Sequence, residues 1–155
     1  MPLLGGRLLV GLHADPMPDL QETEQLRELY WLYGIAAHNC SNIEYRIVYL
    51  LLSPKWKQTE GLTPEKVTEV YDKLQSLPLG ALLKEYKQHY AFSEEQVSLM
   101  EDVLNKRNYL THRFFGTYGK KMHEAAIQQK MIVELKDLIR VFQSVSRSID
   151  PESWR

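Results

Sequence analysis

Cysteine is almost missing from this chain: Cys40 is the one thiol in 155 residues. A single thiol excludes an internal disulfide framework and any zinc site built from several cysteines, and it fits a reducing compartment such as the cytoplasm. Long apolar runs are missing too. No stretch of about 18 apolar residues occurs, so no transmembrane span is expected. Net charge is near zero, with 19 basic and 20 acidic side chains leaving −1 at pH 7. Nothing global therefore points to nucleic acid, and any such contact must come from a local patch. Glycine and proline are sparse, at 8 and 7 residues, and fall at junctions. No internal repeat or low-complexity segment stands out. The alternating pattern of half-buried strands is almost absent as well.

What is present is the helical period. A chain of this length forms one domain with a real core. The expected layout is a flexible tail over residues 1–16, a single helical domain over 17–150 and a short tail over 151–155. Met1 to Leu12 mix small and apolar residues with Arg7. The apolar stretch is too short for a signal peptide and has no convincing small-residue cleavage site. Met17 offers an alternative start.

The first helix is predicted from about Pro18 to Leu52. Leu26, Leu29, Tyr33, Ala36, Cys40, Ile43, Ile47 and Leu50 recur at steps of three and four, which keeps one apolar stripe on one side. Pro54 and Gly61 mark Ser53 to Thr63 as a loop. Thr63 then caps a second helix, with Pro64 at its first position and Glu65 at the positive end of the helix dipole. It stops near Pro78, and a short helix follows Gly80. Ser93, with Gln96 three residues on, forms a capping box for the next helix. Val97, Met100, Val103 and Leu104 make its apolar face, and the stripe continues to Phe114. Gly116 and Gly119 mark a break. The last helix runs from about Lys121 to Ile149, with Met122, Ala125, Ile132, Leu135, Ile139, Phe142 and Val145 inward. The fold class is all-α: an up-and-down bundle of four to five helices, with the first, fourth and last longest.

The segment Lys106-Arg107-Asn108-Tyr109-Leu110-Thr111-His112-Arg113-Phe114-Phe115 carries the chemistry. Arg107 is a permanent cation with a planar fork of donors that suits a phosphate. His112 exchanges protons near neutral pH. The string R-N-x3-H resembles the signature of the HEPN superfamily, helical domains in which the Arg and His form a metal-independent ribonuclease site. The resemblance implies Arg107, His112 and Asn108 as catalytic residues and no metal or cofactor. It also implies a homodimer that brings two motifs into one cleft, acting on RNA. Such a protein can be the toxin of a toxin–antitoxin or defence system, with an antitoxin or nucleotidyltransferase as partner. In some family toxins a Tyr stands two residues after the His and is modified by the partner enzyme. Here that place is Phe114, which has no hydroxyl, although Tyr109 and Tyr118 are close by in sequence.

Each residue also has a plainer explanation. Arg107 lies on the apolar stripe of its helix, where an Arg either snorkels or pairs with a carboxylate. Glu44 falls within the stripe of the first helix, between Cys40, Ile47 and Leu51, and is costly there without a cation. Glu44 with Arg107 is the expected inward pair, which either orients Arg107 for phosphate or ties two helices together. His112 lies five residues after Arg107, about 140° around a straight helix. A kink within the motif or a second copy of the chain is then needed to bring both to one phosphate. No Asp or Glu occurs from Val103 to His123, so Lys106, Arg113, Lys120 and Lys121 are the expected RNA-binding cations. Phe114 and Phe115 are expected in the core or a dimer interface. The competing expectation is a non-catalytic helical module that binds a partner protein or a nucleotide.

Overall fold

A computed structural model of the protein describes residues 23–57 and 61–149. The expected tails, and Pro18 to Glu22 of the predicted first helix, lie outside the described residues. Within them the chain is all helical, with no strand. The elements are α1 (Glu24–Lys57), α2 (Pro64–Gln75), α3 (Leu79–His89), α4 (Glu94–His112), α5 (Phe114–Tyr118) and α6 (Ala125–Ser148), with a 3-10 turn at Gly119–His123 before α6. The longest three are α1, α6 and α4. α1 is the spine of the bundle. α6 packs along it most extensively, α2 and α3 lie against it, and α4 packs on α6, α1 and α3.

The period-3.6 pattern of α1 explains why it is the spine. Leu29, Ala36, Cys40, Ile43, Ile47 and Leu51 are all buried along its length. They meet Met131, Ile132, Leu135, Phe142 and Val145 of α6 and Leu79, Leu82 and Tyr86 of α3 in one core. Of the residues predicted inward on the last helix, Ala125 is exposed instead, because α6 only begins there.

The first helix does not stop at Leu52 as predicted but continues through Pro54 to Lys57. Proline has no N–H to give to the carbonyl four residues back, which here belongs to Leu50. The Tyr90 hydroxyl donates to that carbonyl at 2.8 Å. A side chain from just beyond α3 thus satisfies the group the proline orphans, and the helix survives. The caps follow the prediction more closely. The Thr63 hydroxyl accepts from the Lys66 N–H at 3.4 Å. Ser93 and Gln96 close a reciprocal capping box at 3.2 and 2.9 Å. α3 starts at Leu79, so Gly80 lies inside it rather than before it.

The helix count is six rather than four to five, because the predicted motif helix divides. Arg113 leaves the helical region at φ −127° and ψ −23°, so α4 ends at His112 and α5 begins at Phe114. The break re-aims the aromatic segment that follows it. Phe114 and Phe115 both pack on Tyr33 of α1, at ring-centre distances of 5.8 and 4.7 Å. Phe114 and Tyr118, one turn apart in α5, also pack ring on ring at 5.7 Å. Gly116 lies within α5 and is no break. Gly119 does end it, at φ +48°, a conformation that side chains with a Cβ rarely adopt. The last helix accordingly starts at Ala125, after the 3-10 turn, rather than near Lys121.

Candidate functional site

The capping box starts α4 in a fixed register, and the burial of Met100, Val103 and Leu110 fixes its rotation. Arg107 lies between those residues on the wheel and is turned toward α1, where its Nε donates to Glu44 Oε1 at 3.1 Å. The pair is half-buried, with side-chain exposures of 25% for Arg107 and 30% for Glu44. The inward pair expected from the two stripes is therefore formed. Cys40, one turn before Glu44, feels both groups. Burial pushes its thiol up to about 12, the Glu44 charge adds to that and Arg107 opposes it. The chain's one thiol is thus protonated and unreactive near neutral pH.

His112 is exposed and faces elsewhere. It lines an open groove of about 610 Å³ with Asn105, Asn108, Tyr109 and Arg113. Arg107 is not part of that lining. α4 stays helical through the motif, so no kink turns the two side chains together; the chain bends only at Arg113, past His112. Within one chain Arg107 and His112 remain about 140° apart around the helix. Asn108 is the link between them. Its Oδ1 accepts from Arg107 Nη1 at 3.3 Å, and it stands one helical turn before His112 on the groove face.

The expected basic patch is only partly gathered. Lys106 is held by Asp102 one turn earlier on α4. Both line a second groove of about 400 Å³ between α4 and α6, together with Glu134 and Asp137. Sequence reasoning stopped its acid-free window at Val103 and so missed Asp102, one residue outside it and at ion-pair spacing from Lys106. Lys120 and Lys121 are exposed on the 3-10 turn. Of the four predicted cations, Arg113 lines the His112 groove.

The structure adds a tyrosine cluster that had no sequence signal. The Tyr118 hydroxyl donates to Glu134 of α6. Burial first, then this carboxylate, pushes the Tyr118 hydroxyl well above its ordinary value. The same two causes raise Tyr109. Together they fasten the end of the motif to α6. Phe114 is fully buried and Phe115 partly so, against Tyr33 and Tyr30. The aromatic end of the motif is therefore covered within one chain and supplies no argument for a dimer.

Among the described residues, no group of three or more His, Cys, Asp and Glu gathers as a metal site. No helix among them is long and apolar enough to cross a membrane. No protein-family model, curated protein or solved structure matches this chain.

Proposed function

We propose that this chain cleaves RNA in the manner its R-N-x3-H motif suggests, by attack of a ribose 2′-hydroxyl on the adjacent phosphate. The observation that supports this reading is the position of Asn108. It touches Arg107, and through it Glu44, on one side, and shares the His112 groove on the other. A phosphate in that groove meets Arg113 and Asn108 as donors and His112 as the proton carrier. His112 takes the proton from the 2′-hydroxyl as the new P–O bond forms. A protonated imidazole gives one to the departing 5′-oxygen, leaving a cyclic phosphate. Because Arg107 and His112 diverge on α4, a second copy of the chain completes the site with its own His112 and Arg113, while Arg107 of each copy, held by Glu44, acts through Asn108. Charge building on the phosphoryl oxygens is what such donors stabilise.

Purified protein with mixed RNA and EDTA tests this. Wild type cleaves RNA and spares DNA, which lacks the 2′-hydroxyl. Losing a general acid–base group costs about 10²–10⁴ in rate, so His112→Ala nearly abolishes cleavage. Added salt weakens binding, since phosphate contacts release counterions. Light scattering should show a dimer at micromolar concentration. Equal cleavage by the two proteins, or none by a folded wild type across varied RNAs, sinks the proposal.

One observation favours a second reading, a non-catalytic helical module that binds a partner protein or a nucleotide. Arg107 already has a carboxylate partner and joins α4 to α1. That contact is sufficient reason for an Arg on an apolar stripe.

A further inference from the structure

Tyr109 lines the His112 groove and two further grooves between α4 and α6. One, of about 400 Å³, carries Asp102, Lys106, Glu134 and Asp137, and the other, of about 590 Å³, carries Thr117, Lys130, Glu134 and Asp137. All three meet at this one side chain, which is partly exposed. The sign of the charge changes there. On the His112 side, Arg113 is the one lining residue with a permanent charge. Beyond Tyr109 the first groove sets three acids against Lys106, and the second sets two against Lys130. A chain of phosphates that enters at Arg113 is turned back at Tyr109, because a net negative wall repels it. An uncharged base meets no such barrier.

Tyr109 is also the one aromatic residue lining the His112 groove. Phe114 and Phe115, further along the motif, are taken up by Tyr33. The Tyr109 ring is held from two sides. Its hydroxyl engages Glu134, Thr117 and Tyr118, and Phe114 meets the ring at 84° with 6.1 Å between centres. An aromatic group fixed in this way loses little freedom when a ligand lands on it. Tyr109 stands three residues before His112, so the two side chains are neighbours, about 5–6 Å apart at Cβ. That is comparable with the span from a phosphate to the base of the same nucleotide. We propose that the Tyr109 ring is the platform for one base beside the phosphate held at His112 and Arg113, and that the strand leaves on the Arg113 side rather than along α4 and α6. The inference rests on the RNA reading of the groove and adds to it a residue that binds through its ring, not its hydroxyl.

Fluorescence anisotropy of a labelled 2′-O-methyl oligoadenylate with the full chain tests it, beside an abasic deoxyribose strand of equal length. Neither strand has a 2′-hydroxyl, so binding is read without cleavage. Wild type binds the base-bearing strand about tenfold tighter than the abasic one, the order expected for one base stacked on an aromatic side chain. Tyr109→Leu, its fold checked by circular dichroism, binds the two strands equally. Tyr109→Phe keeps the preference, because the ring remains. Tyr109→Trp raises it, since indole offers the larger face, and carries the test if the leucine variant does not fold. Arg113→Ala lowers the slope of log affinity against log salt by about 0.7, one phosphate contact, and Lys130→Ala leaves that slope unchanged. Absent or equal binding of the two strands by wild type, a preference that survives Tyr109→Leu, or a slope lowered by Lys130→Ala overturns the inference. RNA cleavage alongside any of these results leaves the cleavage proposal standing without the platform. A Tyr109-dependent preference in a protein that cuts no RNA does the reverse.

Discussion

Arg107 occupies a position where a helix ordinarily carries an apolar side chain, and Glu44 does the same on α1. Each makes the other tolerable, because a carboxylate or guanidinium moved out of water needs an opposite charge within reach. Their partial exposure sets the magnitude. Fully exposed pairs contribute about 0–1 kcal/mol, and breaking a buried pair costs about 3–5 kcal/mol. Arg107→Ala should therefore destabilise by about 1–2 kcal/mol, read by urea unfolding, between those limits. The double variant with Glu44→Gln should cost less than the sum of the singles, as coupled neighbours do. Additive costs would show that the two side chains do not depend on each other. Asn108→Ala tests the link to the groove: it should leave stability nearly unchanged and slow RNA cleavage. Unchanged cleavage would remove Asn108 from the proposed site.

At the scale of elements, α1 depends on a repair made from outside the helix. Pro54 orphans the Leu50 carbonyl, and Tyr90 supplies the missing donor. Tyr90→Phe keeps the ring and deletes only the hydroxyl, so it should cost about 1–3 kcal/mol, the usual penalty for an unsatisfied buried polar group. Pro54→Ala restores the N–H to Leu50 and should offset most of that loss in the double variant. If Tyr90→Phe is equally costly with and without Pro54, the hydroxyl acts elsewhere. α4 shows the opposite arrangement, a helix whose start is encoded locally. Ser93→Ala removes half of a capping box and should cost about 1 kcal/mol by thermal unfolding. A neutral result would mean that packing alone sets the start of α4.

The whole molecule buries several weak acids in neutral form. The Cys40 thiol is pushed from 9.0 up to about 12, chiefly by burial. Burial also raises the hydroxyls of Tyr86, Tyr90, Tyr109 and Tyr118 above the ordinary 10.0. In the unfolded chain these groups lose their protons near ordinary values, while the folded chain still holds them. Above about pH 9 the unfolded state binds fewer protons, so stability falls as pH rises. The melting temperature by circular dichroism should be level near pH 8 and drop between pH 9 and 11. The thiol titrates first, so Cys40→Ala should flatten the onset between pH 9 and 10 relative to wild type. An onset with the same slope in both proteins would show that Cys40 does not contribute.

Much of this architecture was legible in the residues themselves. Spacing at three and four marked the buried faces of α1, α4 and α6. Thr63, Ser93 and Gln96 marked two starts, because a cap acts within one turn of its own helix. The Glu44–Arg107 pair was also legible, since two misplaced charges on two apolar stripes have each other as the natural remedy. What the sequence could not disclose depended on groups distant along the chain. Pro54 reads locally as a stop, and only Tyr90, 36 positions later, removes the penalty. The helix after His112 reads locally as continuous, and the break at Arg113 accompanies the packing of Phe114 and Phe115 on Tyr33 of α1, a contact about 80 positions away along the chain. Gln75 and Leu82 come beside Glu44 because α2 and α3 fold back against α1. Local patterns specify which face of a helix is buried. Which partner meets that face is settled when the helices pack.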